Sequence, residues 1–274
     1  MCTATSAIGR TIATAANVIR TLCTFTISAL VSVGAVAQND LPSADCRTDW
    51  HHIATGIDYR SITCLGDPSD TDLHVVRLAP QFFTFDVADV TNGSTARQEA
   101  EKRHAAFVIN ANFFRKDRTP IGVIVRGGDE LQAPHRSSWQ SIFLIDADGA
   151  PHIVRIPDWR KYRESVQMAV QAGPRIVVHG RINKVNRSYP AARAGVCLQA
   201  DGDLLFFATP RERKFDMWEI GRIAHRAESK GGLACRDAML FDGGHSTQIY
   251  VAGDLQTIRV DGDPVPVFVF AKRK

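Results

Sequence analysis

The chain has 274 residues, of which 45% are hydrophobic and 23% are charged, and its formal net charge is +4 at pH 7. This length and composition suit one globular domain of generous size, or two small domains, with a substantial apolar core. So small an excess of positive charge gives no support to a nucleic-acid partner.

The first 37 residues have the pattern of a secretory signal peptide. Met1 to Ala37 contains no acidic residue, carries Arg10 and Arg20, runs apolar from Thr21, and closes on the small-x-small sequence Ala35-Val36-Ala37. We therefore expect cleavage after Ala37 and a secreted or periplasmic protein with no stable membrane span. The alternative is a retained anchor, but threonines and serines interrupt the apolar run, which is shorter than the roughly 20 residues of a span.

The cysteines that would remain after cleavage indicate disulfide bonds. They are Cys46, Cys64, Cys197 and Cys235, an even number in a chain expected to be exported. Three pairings are possible, and we favour Cys46 with Cys64 and Cys197 with Cys235, because each bridge then stays within one region of the chain. The spacing is not C-x-x-C, which argues against zinc and thioredoxin-like redox chemistry. Four buried free thiols are the alternative.

The elements predicted for the N-terminal half are mainly short strands. After a polar leader at residues 38–49, strand-like runs occur at Leu73–Leu78 and Phe82–Phe85. Thr91–Ser94 offers N-caps for a helix over Thr95–His104, which a buried strand at Ala105–Ile109 follows.

Further strands, hairpins and one long helix are predicted downstream. Hairpins are expected to pair Trp139–Asp146 with His152–Ile156 across Asp148-Gly149, and Ala194–Ala200 with Leu204–Ala208 across Asp201-Gly202. Other predicted elements are a strand at Ile121–Val125, a short helix from Asp158 through Val166, an extended segment at Met168–Ala172, a helix over Phe215–Lys230 capped by Asp216, and strands at Asp254–Val260 and Pro264–Ala271 joined by an Asp-Gly turn. We predict one α+β domain over residues 50–274, a twisted β-sheet with a few flanking helices.

Polar residues concentrate where three predicted strands end. The richest stretch follows the apolar run before Asp242, where Gly243, Gly244, His245 and Ser246 share one turn. Asp-Gly also occurs at Asp148, Asp201 and Asp261, where we expect simple turns, so the added glycine, histidine and serine distinguish this one. The other two stretches are Asn110-Ala111-Asn112-Phe113-Phe114, whose amides suit sugar or phosphate binding or an ordinary Asx turn, and Arg126-Gly127-Gly128.

Two chemistries could use the turn at Asp242. One is a serine hydrolase, since Gly244 to Gln248 nearly matches G-x-S-x-G around Ser246. It fails at Gln248, where the nucleophile elbow needs a small residue, and the following residues favour a strand instead of a helix. The other is glycosyl transfer, with the Asp242 carboxylate beside the anomeric carbon.

Four motifs in order resemble those of the phosphodiester glycosidase family. They are Asn110-Ala111-Asn112-Phe113-Phe114, Ala172-Gly173-Pro174-Arg175, Arg193-Ala194-Gly195-Val196 and Leu240 through Thr247. The resemblance implies an exported hydrolase that cleaves a sugar 1-phosphodiester to free sugar and a phosphomonoester. This chain departs from the pattern at His245, where many relatives have glycine, and beside Arg193, which alanines flank.

The resemblance also implies roles for individual residues. Asp242, His245 and Arg193 are the expected catalytic residues, with Asp242 as base or nucleophile and an arginine holding the phosphate. The expected substrate-binding residues are Asn110, Asn112, Arg126, Arg175, Gly243, Gly244 and Ser246, while His225 and Gln248 are weaker candidates. No cofactor is expected, although Asp242, His245 and Asp237 could together hold a divalent metal. A further alternative is an exported protein that binds envelope polysaccharide or sugar phosphate without turnover.

Overall fold

Strands dominate the computed structural model, which describes residues 49–63, 72–187, 189–254 and 256–274. The predicted signal peptide, residues 38–48 of the leader, and Cys46 with Cys64 lie outside the described residues. All of the described residues belong to one compact unit.

The described residues form eighteen strands and two α-helices. The strands of the first half are β1 (His51–Ala54), β2 (Ile57–Ile62), β3 (Leu73–Leu78), β4 (Phe83–Ser94), β5 (Phe107–Asn110), β6 (Ile124–Arg126), β7 (Asp129–Gln132), β8 (Ser141–Asp146) and β9 (Pro151–Arg155). Those of the second half are β10 (Val166–Ala172), β11 (Arg175–Val178), β12 (Arg181–Ile182), β13 (Ala194–Gln199), β14 (Leu204–Ala208), β15 (Cys235–Leu240), β16 (Ile249–Ala252), β17 (Thr257–Val260) and β18 (Val265–Arg273). The helices are α1 (Ala96–Arg103) and α2 (Met217–His225).

These strands build three antiparallel sheets. The first has eight strands in the order β1-β2-β3-β14-β13-β15-β11-β12, the second has the order β7-β6-β10-β8-β9, and the third has the order β17-β16-β5-β18-β4. The fold is therefore strand-rich as expected, but it has three sheets where we predicted one. With so little helix it is mostly β, and α+β describes it only loosely.

The inward faces of all three sheets share one apolar core, and Phe206 marks the place where they meet. Its ring, on β14 of the first sheet, lies 4.6 Å from that of Phe107 and 6.4 Å from that of Phe85, both on the third sheet. Phe143 of the second sheet makes an edge-to-face contact with Phe206 at 5.8 Å. Since Phe206 and Phe143 are fully buried, this cluster fixes the sheets against one another.

The outer faces of the sheets are covered by helical segments. Helix α2 packs Ile220, Ile223 and Ala224 on the first sheet, and α1 packs Ala96 and Ala100 on the third. A 3₁₀ helix at Ile156–Lys161 covers the second sheet with Trp159. Among the described residues no helix is both long enough and apolar enough to cross a membrane.

Both α-helices begin at a capping box. Asp216 caps α2 as predicted, since its carboxylate accepts hydrogen bonds from the backbone of Trp218 and Glu219. The cap of α1 is Thr95, which exchanges hydrogen bonds with Gln98. We predicted that cap one to four residues earlier, at Thr91–Ser94, which instead continues strand β4.

Two helix predictions were too long. The segment expected to be helical from Asp158 through Val166 is the 3₁₀ helix Ile156–Lys161, and Val166 already pairs with β8. Helix α2 ends at His225, where the prediction continued to Lys230. The chain turns there because Glu228 accepts hydrogen bonds from Gln199 at 2.6 Å and Arg77 at 3.1 Å, which draws it towards the first sheet.

The two closing strands are present, but the Asp-Gly pair between them is not a hairpin turn. β17 pairs with β16, whereas β18 pairs with β4 and β5 in the middle of the third sheet. The segment from Asp261 to Pro264 is therefore a crossover between separate strands. The predicted hairpins at Asp148-Gly149 and Asp201-Gly202 are confirmed.

The predicted disulfide between Cys197 and Cys235 is confirmed. It joins the neighbouring strands β13 and β15, with the two Cα atoms 5.5 Å apart. The other predicted pair involves cysteines outside the described residues.

Replacing Cys197 and Cys235 together with alanine should lower the melting temperature. The bridge closes a loop with a sequence separation of 38 residues. Because the bridge restricts the unfolded chain, its loss should lower the free energy of unfolding by about 4 kcal/mol. This corresponds to a decrease of roughly 10 °C in the melting temperature. Differential scanning calorimetry of the double variant and of the reduced wild type would measure it. A melting temperature within about 2 °C of the wild type in both samples would contradict this.

Candidate active site

The candidate site lies where strands of the first and third sheets end side by side. Three backbone hydrogen bonds hold the turn that follows β15. The Phe241 N–H donates to Ala194 O at 2.8 Å and the Gly244 N–H to Ala192 O at 2.8 Å, both at or just before the start of β13 in the same sheet. The Asp242 N–H donates to Ala111 O at 2.9 Å, directly after β5 of the third sheet. The turn after β15 is thereby held against the residues after β5 and before β13. These are three of the four motif segments found in the sequence.

Both glycines of this turn are required by its backbone. A Cβ on Gly243 would lie 2.8 Å from Ala192 O, which is closer than a side chain tolerates, and 3.7 Å from Arg193 Nη1. Gly244 has a φ of 62°, in the left-handed region that favours glycine. The glycines therefore allow the Asp242 turn to approach the segment that carries Arg193.

Asp242 is a partly buried carboxyl group with an altered pKa. Burial raises its pKa from 3.8 to about 6, and hydrogen bonds from Ser246 and from the Gly243 backbone act in the opposite direction. The Gly243 N–H donates to Oδ1 at 3.0 Å. A carboxyl group with this pKa is ionised at neutral pH yet accepts a proton readily, as a general base must.

The two predicted asparagines have different surroundings. Asn110 is completely buried, and its Nδ2 donates to the carbonyl of Asp242 at 2.7 Å while its Oδ1 accepts from the Gln248 N–H at 3.0 Å. Both ends of its amide are used within the protein. The structure thus gives Asn110 the role of positioning Asp242 through the hydrogen bond to its backbone carbonyl.

Asn112 has a free acceptor. It is 2% exposed, and its Nδ2 donates to the carbonyls of Ile121 and Val123 at 3.2 and 3.1 Å. Because two carbonyls face Nδ2, the orientation of the amide is fixed. Its Oδ1 has no hydrogen-bond partner among the described residues. A buried acceptor of this kind is suited to a hydroxyl or amide donor on a ligand.

Arg193 is a buried cation at the edge of the turn. It is 8% exposed, its Nε donates to the carbonyl of Phe215 at 2.9 Å, and its Nη2 donates to that of Tyr189 at 2.7 Å. These bonds hold the guanidinium with Nη1 next to Gly243. Burial lowers the pKa of Arg193 from its usual value, so its charge lies in a weakly screened environment where it attracts an anion strongly.

His245 occupies the rim of the site. Its side chain is 74% exposed, contacts Arg211, and lies 3.5 Å from Asp263. Ser246, by contrast, hydrogen-bonds the Asp242 carboxylate. The Asp261 to Pro264 crossover also packs here, since a Cβ on Gly262 would lie 2.6 Å from Thr247 O.

Arg175 and Arg126 are not brought to this turn by any described contact. Arg175 begins β11, where its side chain lines a cavity with Arg155, and burial lowers its pKa. Arg126 is an exposed residue at the end of β6, and Gly127 and Gly128 form the turn to β7. Both remain predicted ligands without a described contact to Asp242.

The weaker candidates have structural partners. Gln248 is buried and accepts a hydrogen bond from the Ala96 N–H at 2.6 Å, at the start of α1. His225 contacts the carbonyl of Gly180 at 3.0 Å, on the far side of the first sheet.

The three residues considered as metal ligands do not cluster. Asp237 accepts hydrogen bonds from the His179 N–H at 3.0 Å and from Arg236 at 2.8 Å, five residues before Asp242 on an extended strand. Within the described residues no group of three histidine, cysteine or acidic side chains has the arrangement of a metal site.

Sequence reasoning missed an aromatic pair beside Asn112. The ring of Phe113 lies 5.5 Å from that of Trp139, which is 53% exposed. It also missed Arg211, which contacts His245 from a separate loop. The only signal for Trp139 was its position between two serines and a predicted strand, and such a pattern does not show whether the indole is buried.

Comparison with known proteins identifies the family. The family model described as phosphodiester glycosidase matches residues 103–270, well over half of the chain. The chain belongs to this family. The resemblance inferred from the four motifs is therefore confirmed.

Two solved structures share the fold. One is the catalytic domain of zebrafish N-acetylglucosamine-1-phosphodiester alpha-N-acetylglucosaminidase, auto-inhibited by pro-peptide, with a TM-score of 0.58, 15% identity, and coverage of 83% of this chain and 88% of that one. The other is a hypothetical protein from Synechocystis, with a TM-score of 0.60, 11% identity, and coverage of 83% of this chain and 64% of that one. At these identities the likeness shows the fold alone. No curated protein sequence matches the chain.

Replacing Asn110 with alanine should destabilise the protein, because the Asp242 carbonyl and the Gln248 N–H would lose their buried partner. We expect a loss of about 2 to 4 kcal/mol in the free energy of unfolding, measured by urea titration. The exposed Asn92→Ala variant serves as the control and should change it by less than about 0.5 kcal/mol. If Asn110→Ala cost no more than the control, the positioning role would be refuted.

Proposed function

We propose that this protein hydrolyses the C1–O bond of a sugar 1-phosphodiester, releasing the free sugar and a phosphomonoester. The observation that carries the proposal is the Asp242 carboxyl group, whose pKa is raised to about 6. It directly precedes Gly243, where an added Cβ would lie 3.7 Å from Nη1 of the buried Arg193. The reaction needs a base and a cation that binds the phosphate, and Asp242 and Arg193 would supply them. Membership of the phosphodiester glycosidase family supports the reaction class.

The chemistry follows from the leaving group. When C1–O breaks, the bonding electrons remain on a phosphate oxygen, and a phosphomonoester is stable enough as an anion to leave without strong acid assistance. Arg193 stabilises the charge that develops on it. In the simplest route Asp242 takes a proton from water while the water oxygen bonds to C1. Direct attack of Asp242 on C1, followed by hydrolysis of the glycosyl ester, uses the same groups.

Sugar recognition would involve Asn112. Its fixed Oδ1 acceptor follows Ala111, whose carbonyl holds the Asp242 backbone at 2.9 Å. A hydroxyl or acetamido N–H of the sugar would supply the missing donor. A site built around such an acceptor discriminates strongly against sugars that lack the donor, because the buried oxygen would stay unpaired.

The structural contacts favour this proposal over its two alternatives. For a serine hydrolase, Ser246 would need a histidine base, but it is hydrogen-bonded to Asp242 while His245 contacts Arg211 and Asp263. Strand β16 also follows the turn, in the place where a nucleophile elbow requires a helix. The raised pKa of the Asp242 carboxyl group supports a catalytic role over binding without turnover.

The site of action is proposed to be outside the cytoplasm. The N-terminal sequence pattern of a signal peptide and the Cys197–Cys235 disulfide both support export to the periplasm or the medium. The substrate would then be a sugar phosphodiester in the cell envelope or its surroundings.

Asp242→Asn should abolish turnover and leave the fold intact. The substitution keeps the acceptor for the Gly243 N–H but removes the base, so we expect kcat to fall at least about a thousandfold. Release of sugar from a panel of sugar 1-phosphodiesters, with and without chelator, would measure it. Asp148→Asn, in another Asp-Gly turn on an exposed loop, is the matched control and should retain full activity.

The stability of Asp242→Asn provides an independent check. Because the folded state holds this proton up to about pH 6 and the unfolded chain only to 3.8, the wild type loses stability as the pH rises between these values. Above pH 6 the variant should therefore melt at or above the wild-type temperature. Unchanged turnover in a variant that melts normally would refute the role of Asp242.

The pH dependence of kcat/KM should have an acidic limb near pH 6. Activity that needs the Asp242 carboxylate is lost as the pH falls through its pKa of about 6. The Ser246 hydrogen bond lowers that pKa, so Ser246→Ala should move the limb to higher pH while retaining activity on the plateau. Complete loss of activity in Ser246→Ala at every pH would instead favour a serine nucleophile.

A further inference from the structure

A cavity of about 460 Å³ lies beside the Gly173-Pro174-Arg175 motif. Its wall includes Arg155, Arg175 and Lys184, together with Trp139 and three serines, and none of its described lining residues is acidic. Asp158 binds Arg155 at 2.8 Å from outside this wall, so Arg175 and Lys184 supply most of the uncompensated charge. The mechanism proposed for Asp242 makes no use of these groups.

The cavity is joined to the candidate active site by a backbone hydrogen bond on one side and by a contact between aromatic rings on the other. The Pro174 carbonyl accepts from the Leu240 N–H at 3.0 Å, two residues before Asp242. On the other side, Trp139 contacts Phe113 at 5.5 Å between ring centres, and Phe113 follows Asn112 directly. The cavity therefore lies next to the two segments that carry Asp242 and Asn112.

Trp139 is exposed to solvent in the way that is typical of an aromatic residue that binds a ligand. It is 53% exposed, yet its indole packs on Phe113, which restricts its movement. A rigid exposed aromatic ring at the mouth of a cavity offers a flat apolar surface of the kind on which the C–H face of a sugar ring stacks. The serine hydroxyls and the arginines behind it can bind the polar edge of such a ring.

Positive charge is concentrated around this cavity. Two neighbouring cavities, of about 480 and 600 Å³, share lining residues with it. Together the three walls carry seven arginines and lysines against Glu130 and Asp158. The chain as a whole has a net charge of only +4, so this region holds an excess larger than that of the entire protein. Such a field attracts and orients a polyanion.

We propose that this cavity binds the part of the substrate that lies beyond the cleaved phosphodiester, and that this part is an anionic oligosaccharide. Trp139 stacks on a sugar ring, while Arg175 and Lys184 bind its acidic groups. The inference rests on the proposed function for the direction in which the ligand extends, but the binding itself is measurable without turnover.

The test is a calorimetric titration of the full mature chain with hexagalacturonate as the probe. Trp139→Ala and Lys184→Glu change exposed residues and should fold normally. Each should weaken binding at least about fivefold, because the stacking surface or the charge is lost. Phe82→Ala and Lys102→Glu, an exposed aromatic residue and an exposed lysine near the third sheet, are the matched controls and should bind as the wild type does.

Two further probes distinguish recognition of the sugar rings from recognition of their negative charge. Maltohexaose, which is neutral, should bind at least about tenfold more weakly than hexagalacturonate. Phosphorylated maltohexaose tests whether phosphate replaces carboxylate, and tight binding of either anionic probe supports the proposal. Equal binding of neutral and anionic sugars, or equal losses in the control variants, would overturn it.

Activity measurements separate the two proposals. With a short alkyl diester as substrate, Lys184→Glu should retain wild-type kcat/KM, because this substrate has no group that reaches Lys184. If the protein hydrolyses no diester but binds hexagalacturonate through Trp139 and Lys184, the proposed function fails and the glycan site stands. If it hydrolyses diesters and neither substitution alters hexagalacturonate binding, only the glycan site is refuted.

Discussion

The candidate site depends on the buried amide of Asn110. One end of this amide holds the carbonyl of Asp242 and the other holds the Gln248 backbone, so a single side chain sets the turn of the first sheet against the strands of the third. Because it is completely buried, water offers no substitute for either bond. The position of the Asp242 carboxyl group is thereby fixed by the packing of two sheets, and its local turn alone would leave it far less constrained.

The same packing accounts for the electrostatics of the site. Three sheets meet at Phe206, and the strand ends beside this core place Asp242 and Arg193 where little water surrounds them. Burial opposes charge on both groups, raising the pKa of the acid and lowering that of the base. An anionic phosphate between them would relieve the desolvation of Arg193. The burial of the Arg193 guanidinium thus favours the binding of a negatively charged substrate.

Local chemistry made part of this structure predictable from the sequence. The Asp216 cap, the hairpins at Asp148 and Asp201, the Cys197–Cys235 bridge and the family all followed from short patterns. The strand order of the third sheet did not, because β17 and β18 read as one hairpin and only long-range pairing places β16 and β5 between them. The sequence also could not show that both ends of the Asn110 amide form hydrogen bonds within the protein whereas the Oδ1 of Asn112 has no partner among the described residues. This difference depends on which backbone groups lie opposite each amide. Arg126 and Arg175 also lie near glycines at strand ends, and no described contact joins either of them to Asp242.

The position of β18 sets the order in which the site can assemble. Strand β5, which carries Asn110, has β16 on one side and β18 on the other, and β18 is the last strand of the described chain. During synthesis β5 therefore emerges long before either neighbour exists. The asparagine bridge cannot form until Gln248 has been made, and the crossover that packs on Thr247 cannot form until Gly262 has been made. The candidate site is thus a late product of folding, and a chain from which β16 and β18 have not yet emerged has no assembled site.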